Sequence, residues 1–284
     1  MGKGRWLGVC LLGFACVAFA RGDLGAVRKQ AEASMLVKGS ITIAADGSVA
    51  GHALERPGKL PPGVVALIGQ SLPKWRFEPV MENGAAHETT ARMSLLVVAN
   101  KSDPEHFTVR IRSAQFGDLN PVASDGIGRK KMGGPQYPGE ALAAGVSGTV
   151  YLAFRVDREG RVADVAVEQV NLKVVDDERH MAHWREVLAA PVLRAATRWR
   201  FTTPTTGKHV DDALWSGRVA VEYHLDPKMP GYGQWVPYIP GPRQHVSWLD
   251  ADGKDIAGSP DALGSGEIAL VGQGPRLLTP LSQG

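Results

Sequence analysis

The chain has 284 residues, 44% of them hydrophobic, which is enough for one large or two small globular domains. Its charge is modest, 21% charged residues with a formal net of +3, and this gives no reason to expect a nucleic-acid partner. Both cysteines, Cys10 and Cys16, lie within the first twenty residues, so a chain without that segment has no disulfide, no thiolate metal site and no cysteine nucleophile.

Residues 1–20 read as a secretory signal. Lys3 and Arg5 form a positive start, Trp6 to Val17 is an uncharged apolar run, and Ala18-Phe19-Ala20 is a small-x-small cleavage site. The apolar run is short for a bilayer span of about 20 residues. The expectation is therefore cleavage after Ala20 and release into the periplasm. The alternative is an uncleaved inner-membrane anchor facing the periplasm. Gly13, three residues before Cys16, argues against a lipidation site.

One pattern then occurs twice. In the first copy Gly39 opens an alternating run with Ile41 and Ile43, Asp46-Gly47 turns, and Val49 resumes. Val65, Ile68, Leu72 and Trp75 follow at helical spacing, and Leu24 to Met35 can supply a leading helix. Trp75-Arg76-Phe77, Pro79 and Gly84 come next. A last strand carries Met93, Leu95 and Val97 on one face and Leu96 and Val98 on the other, so both faces are expected to be covered. Residues 101–128 read as a linker, although Phe107, Val109 and Ile111 suggest a strand within it, and Gly126 to Lys131 reads as solvated.

In the second copy Gly148 opens a strand whose Val150, Leu152, Phe154 and Val156 alternate with polar or small residues. Asp157-Arg158-Glu159-Gly160 turns into a second strand with Val162, Val165 and Val167. Leu188, Val192, Ala195 and Trp199 make a helical face, with Pro191 placed in the first turn of that helix. Trp199-Arg200-Phe201 repeats the earlier tripeptide, and Val219, Val221, Tyr223 and Leu225 form a closing strand. The repeated tripeptide, in the same place after a turn and an amphipathic stripe, reads as duplication. Trp75 and Trp199 are expected to pack rather than bind.

Residues 129–227 resemble the C-terminal domain of the TonB family. The resemblance rests on Pro135-Gln136-Tyr137-Pro138, Ala141, Gly145-Val146-Ser147-Gly148, the strand that follows, Gly160, Val162, Trp199-Arg200-Phe201 and the closing strand. It implies an α+β fold with two TonB C-terminal-like domains, each a small antiparallel sheet packed on helices: residues 21–100 as a diverged copy and 129–227 as the better match. It also implies that the closing strand, 217–225, is a sheet edge that takes up an extended peptide by strand addition. The site residues would be Arg218, Val219, Ala220, Val221, Glu222, Tyr223 and His224, with Gln136, Tyr137 and Pro138 nearby. Arg218, Glu222 and His224 would form the polar face. Implied partners are an outer-membrane TonB-dependent transporter or another envelope protein, with a homodimer allowed.

The chain departs from the full family pattern. Residues 1–20 hold no polar His, and the stretch 101–134 is short and not Pro-rich. A non-transducing scaffold that reuses the fold is therefore the alternative, and whether strand 217–225 is exposed discriminates between the two. Nothing supports catalysis, a cofactor or a metal site. His180 and His183 beside Asp176, Asp177 and Glu178 read as a polar insertion facing water. Residues 228–284 are Gly- and Pro-rich. For 228–250 the choice is between an extended partner-binding or edge-covering arm and a loose tail, and much of 251–284 is expected to be disordered.

Overall fold

The computed structural model describes residues 24–82, 84–101, 107–118, 125–207, 209–226, 228–251 and 260–281. The expected signal segment, Pro104, Pro121 and Pro227 lie outside these. The fold is mixed α+β, with mostly antiparallel sheets and few helices.

Helix α1 (Leu24–Lys29) is followed by strand β1 (Glu32–Ile43) and strand β2 (Val49–Leu54). The leading helix is thus shorter than the sequence suggests, and β1 opens at Glu32 rather than Gly39. Helix α2 (Pro62–Ser71) packs Val64 and Ile68 inward, with Val65 only half-buried. A two-strand ribbon, β3 (Met81–Glu82) and β4 (Ala85–Ala86), leads to β5 (Thr89–Lys101) and β6 (Phe107–Asp118). The supposed linker therefore contains a full strand, because Phe107, Val109 and Ile111 alternate in register with β5.

Strand β7 (Gly128–Lys131), helix α3 (Gly139–Ala143), and strands β8 (Gly148–Asp157) and β9 (Val162–Leu172) come next. Helix α4 runs Glu178–Ala196, and Asp177 caps it by accepting from the His180 N–H at 3.0 Å. Pro191 lies inside this helix rather than at its start, since the cap and the buried Met181 extend it toward the N-terminus. Strands β10 (Arg200–Thr202) and β11 (Leu214–Tyr223) close the second pattern. The segment read as solvated at 126–131 buries Ile127, and β7 pairs with β10. The C-terminal stretch adds β12 (Val236–Tyr238), helix α5 (Ser247–Ala251) and β13 (Ile268–Leu270).

Two main sheets result. In one, β1 lies between β5 and a shared edge of β2 and β12, and β6 lies outside β5; in the other the order is β13-β11-β8-β9. The turns of the two copies are built alike. Gly47 (φ 81°) accepts from the Phe77 N–H at 2.8 Å, and Gly160 (φ 76°) accepts from the Phe201 N–H at 2.8 Å. A Cβ at either glycine would collide with the carbonyl oxygen of that same phenylalanine, so each site requires glycine for both conformation and space. Arg76 and Arg200 each turn a guanidinium back onto the carbonyl of the preceding Trp, at 2.9 and 2.7 Å. The repeated tripeptide is a structural clasp: Trp75, Phe77, Trp199 and Phe201 are all buried.

Each sheet buries one face under its helix. Met35, Val37, Ile41, Leu95 and Val97 meet Ile68, Leu72 and Trp75, while Val150, Leu152, Phe154 and Val219 meet Leu188, Val192 and Trp199. Val27 of α1 joins the core of the second sheet, not the first.

The opposite faces are covered by the C-terminal stretch. Leu96 and Val98 meet Tyr238 and Ala262; Tyr151 and Ala220 meet Leu263; Ala153 meets Val246 and Leu249. Both faces of β5 are covered, as its apolar alternation requires. The described parts of 228–281 are ordered in strands, bridges and core contacts: 228–250 takes the form of an arm rather than a loose tail, and 260–281 differs from the disorder expected of it. They run along β1, along β9 through Ile239 and Leu172, along β11, and back to Phe77 through Leu277.

Candidate functional site

Strand β11 carries the residues read as a peptide-binding edge, and from Ser216 to Ala220 it is not an edge. One side pairs with β8 from Leu214 to Tyr223; the other pairs with β13 at Gly217↔Leu270, Arg218↔Ala269 and Val219↔Ile268. The Val271 N–H donates to the Ser216 carbonyl at 2.9 Å and the Gly266 N–H to the Ala220 carbonyl at 2.8 Å. In an antiparallel ladder the outward backbone groups alternate, so those of Ser216, Arg218 and Ala220 face β13 and its flanks. The equivalent position in the first sheet is filled too: β6 runs beside β5 from Ala91↔Asp118 to Lys101↔Phe107.

The side chains follow. Val219 is in the core under α4, and Val221 packs against that core. Ala220 is buried on the other face against Tyr151 and Leu263. Arg218, expected on an exposed polar face, is 3% exposed and grips Glu168, 1% exposed, with Nε at 2.8 Å and Nη2 at 3.0 Å from its carboxylate oxygens. Glu222 pairs with Lys173 and lies 3.0 Å from His224.

Tyr223 is buried and meets Tyr137 edge-on, with ring centroids 5.0 Å apart. Tyr137 donates its hydroxyl proton to the Val146 carbonyl at 2.7 Å. Burial raises the Tyr223 phenol far above its ordinary range, with Tyr137 adding to the shift. The structure thus joins Tyr137 to the end of β11. Pro138 caps α3 beside it, and Gln136 is exposed.

Sequence reasoning missed the residues that complete this region. Ile268 and Leu270 pack toward the core, and Ala269 faces Tyr151 and Ala220. Their one available signal is a three-residue alternation between glycines 266 and 272. A second polar cluster was also missed. Glu32 is held by Arg112, by Asn100 Nδ2 at 2.9 Å and by the Tyr238 hydroxyl at 2.7 Å, while the Ser113 hydroxyl donates to Asp261 at 2.7 Å. A bulge between Leu96/Val97 makes this cluster, since Val97 pairs with Ile111 and Leu96 with Ser113. The extra residue, Arg112, turns to the same face as Ser113.

Asp176, Asp177 and His180 come within 4.8 Å of one another. Asp177 is engaged as the helix cap, and its hydrogen bond from the His180 backbone holds its carboxyl below the usual range. His183 lies 3.7 Å from Glu140 on the same exposed surface. Among the described residues no helix is long and apolar enough to cross a membrane. Neither the models of known protein families nor the curated proteins give a match to this chain.

Proposed function

We propose that this chain is a periplasmic interaction protein made of two TonB-like units, one spanning residues 24–118 and the other residues 125–226, with the described segments 228–251 and 260–281 strapping them together. In this reading it is a non-transducing scaffold of the envelope. The carrying observation is that the chain itself occupies the strand-accepting side of both closing strands, β6 along β5 and β13 with its flanks on β11 from Ser216 to Ala220. A sheet edge already paired offers no free ladder for a transporter segment. Partners would be envelope proteins that dock on its outer surfaces.

Titration with TonB-box peptides from the same organism's outer-membrane transporters, followed by backbone amide NMR, tests this. The expected result is no shift concentrated in 217–225 at millimolar peptide. Saturable shifts there would refute it.

A second reading has one observation behind it. β13 holds β11 through three residue pairs only, against the long ladder between β5 and β6. A peptide that displaced β13 would then be captured on the side β13 now fills. Ala269→Pro, which removes a ladder N–H, would expose this activity: shifts in 217–225 for the variant, with none for the parent chain, would select this second reading.

A further inference from the structure

The outer side of β6 is different from the edges just described. Among the described residues no strand pairs with it, and the C-terminal stretch, which lies along β1, β9 and β11, meets β6 only in its second half, where Gly274 comes against Phe116 and Gly117. Its first half also exposes Phe107 (64%) and Val109 (36%). Proteins guard such an edge or use it. The sequence from Phe107 to Ile111 is apolar, polar, apolar, polar, apolar. Phe107 and Val109 share a face with Ile111, which is buried in the core under α2. On the other face Arg110 is tied to Glu32 and Asn100.

We infer that β6 of one chain pairs antiparallel with β6 of a second copy, about a two-fold axis through Val109. The register follows from this chain's own pattern. Centring on Val109 sets Phe107 opposite Ile111, Val109 opposite Val109 and Thr108 opposite Arg110. Apolar residues then face apolar ones, and the core surface continues across the axis. Centring on Arg110 instead would put Arg110 opposite Arg110, and like charges directly opposite are destabilising. The bulge at Arg112 ends regular pairing and confines the contact to 107–111. Such a contact is small beside the ~1,600 Å² of a standard interface, so the dimer is weak and concentration-dependent.

Sedimentation of the protein purified after export, over a concentration series reaching millimolar, reads the first outcome. The parent chain is expected to move toward twice its monomer mass. Val109→Lys, which places two cations on the axis, should weaken association by roughly tenfold or more, with an unchanged circular-dichroism spectrum and melting midpoint. Cysteine cross-linking reads the register. Val109→Cys should form an intermolecular disulfide under mild oxidation, while Thr108→Cys, whose cross-axis neighbour is Arg110, should not. A parent chain monomeric at every concentration, or equal cross-linking by the two cysteine variants, would overturn the inference. Dimerisation of Val109→Lys at parent strength would do so as well.

Discussion

Arg218 on β11 reaches over Ala153 of the intervening strand to hold Glu168 on β9, and both charges are sealed from water. The geometry depends on a bulge. Tyr151 pairs with Gln169 and Leu152 with Val167, so Glu168 is the extra residue. The tail also meets β9 at this bulge, where the Gln244 N–H donates to the Glu168 carbonyl at 2.7 Å.

Removing Arg218 leaves the buried Glu168 carboxylate with only the more exposed Arg243, whose Nη2 lies 4.0 Å away. Arg218→Met is therefore predicted to cost about 3–5 kcal/mol in urea unfolding. The paired variant Arg218→Met/Glu168→Leu should recover most of that loss. If the single variant costs less than about 1 kcal/mol, the pair is solvated, as exposed pairs are.

The two turn glycines should behave as twins. Gly47→Ala and Gly160→Ala each force a Cβ onto a phenylalanine carbonyl at positive φ. Each should lose at least about 1–3 kcal/mol by equilibrium unfolding. Gly51→Ala, in open space on β2, serves as the control and should change little.

Alkaline stability follows from Tyr238. Burial above all, with the adjoining Glu32 carboxylate, pushes its phenol far above tyrosine's ordinary value. The folded state then holds its proton where the unfolded chain has lost it. This contribution is complete below pH ~10 and declines as pH rises beyond that. Tyr151 and Tyr223 are raised in the same sense, chiefly by burial. Tyr238→Phe should flatten the alkaline fall measured by denaturant unfolding between about pH 9 and 11, while costing about 1–3 kcal/mol at neutral pH through the lost hydrogen bonds.

Local order was legible wherever the chain carried a long period. The alternation of β8, the turn at Gly160, the helical face of Leu188 and Val192, and the clasp of Trp199-Arg200-Phe201 all stand in the sequence as they stand in the fold. The apolar second face of β5 also announced a cover. What covers it could not be read, because Tyr238 and Ala262 lie more than a hundred residues away in Pro- and Gly-rich chain. Strand β13 was hidden for a related reason: three residues carry almost no periodic signal, and only the waiting partner strand gives them a conformation. Arg218 was misplaced because alternation assigns a residue to a face without saying whether that face is wet. Pro191 misled as a helix start, since tertiary packing of α4 tolerates it in the interior.

Hydrogen exchange at a single amide decides whether β11 is paired on its outer side. The outward Arg218 N–H faces β13, while the Val219 N–H faces β8. Both are expected to exchange slowly in the parent chain, and Ala269→Pro is expected to free Arg218 while leaving Val219 protected. A freely exchanging Arg218 amide beside a protected Val219 amide in the parent chain would mean that β11 is an open edge, available to a transporter segment.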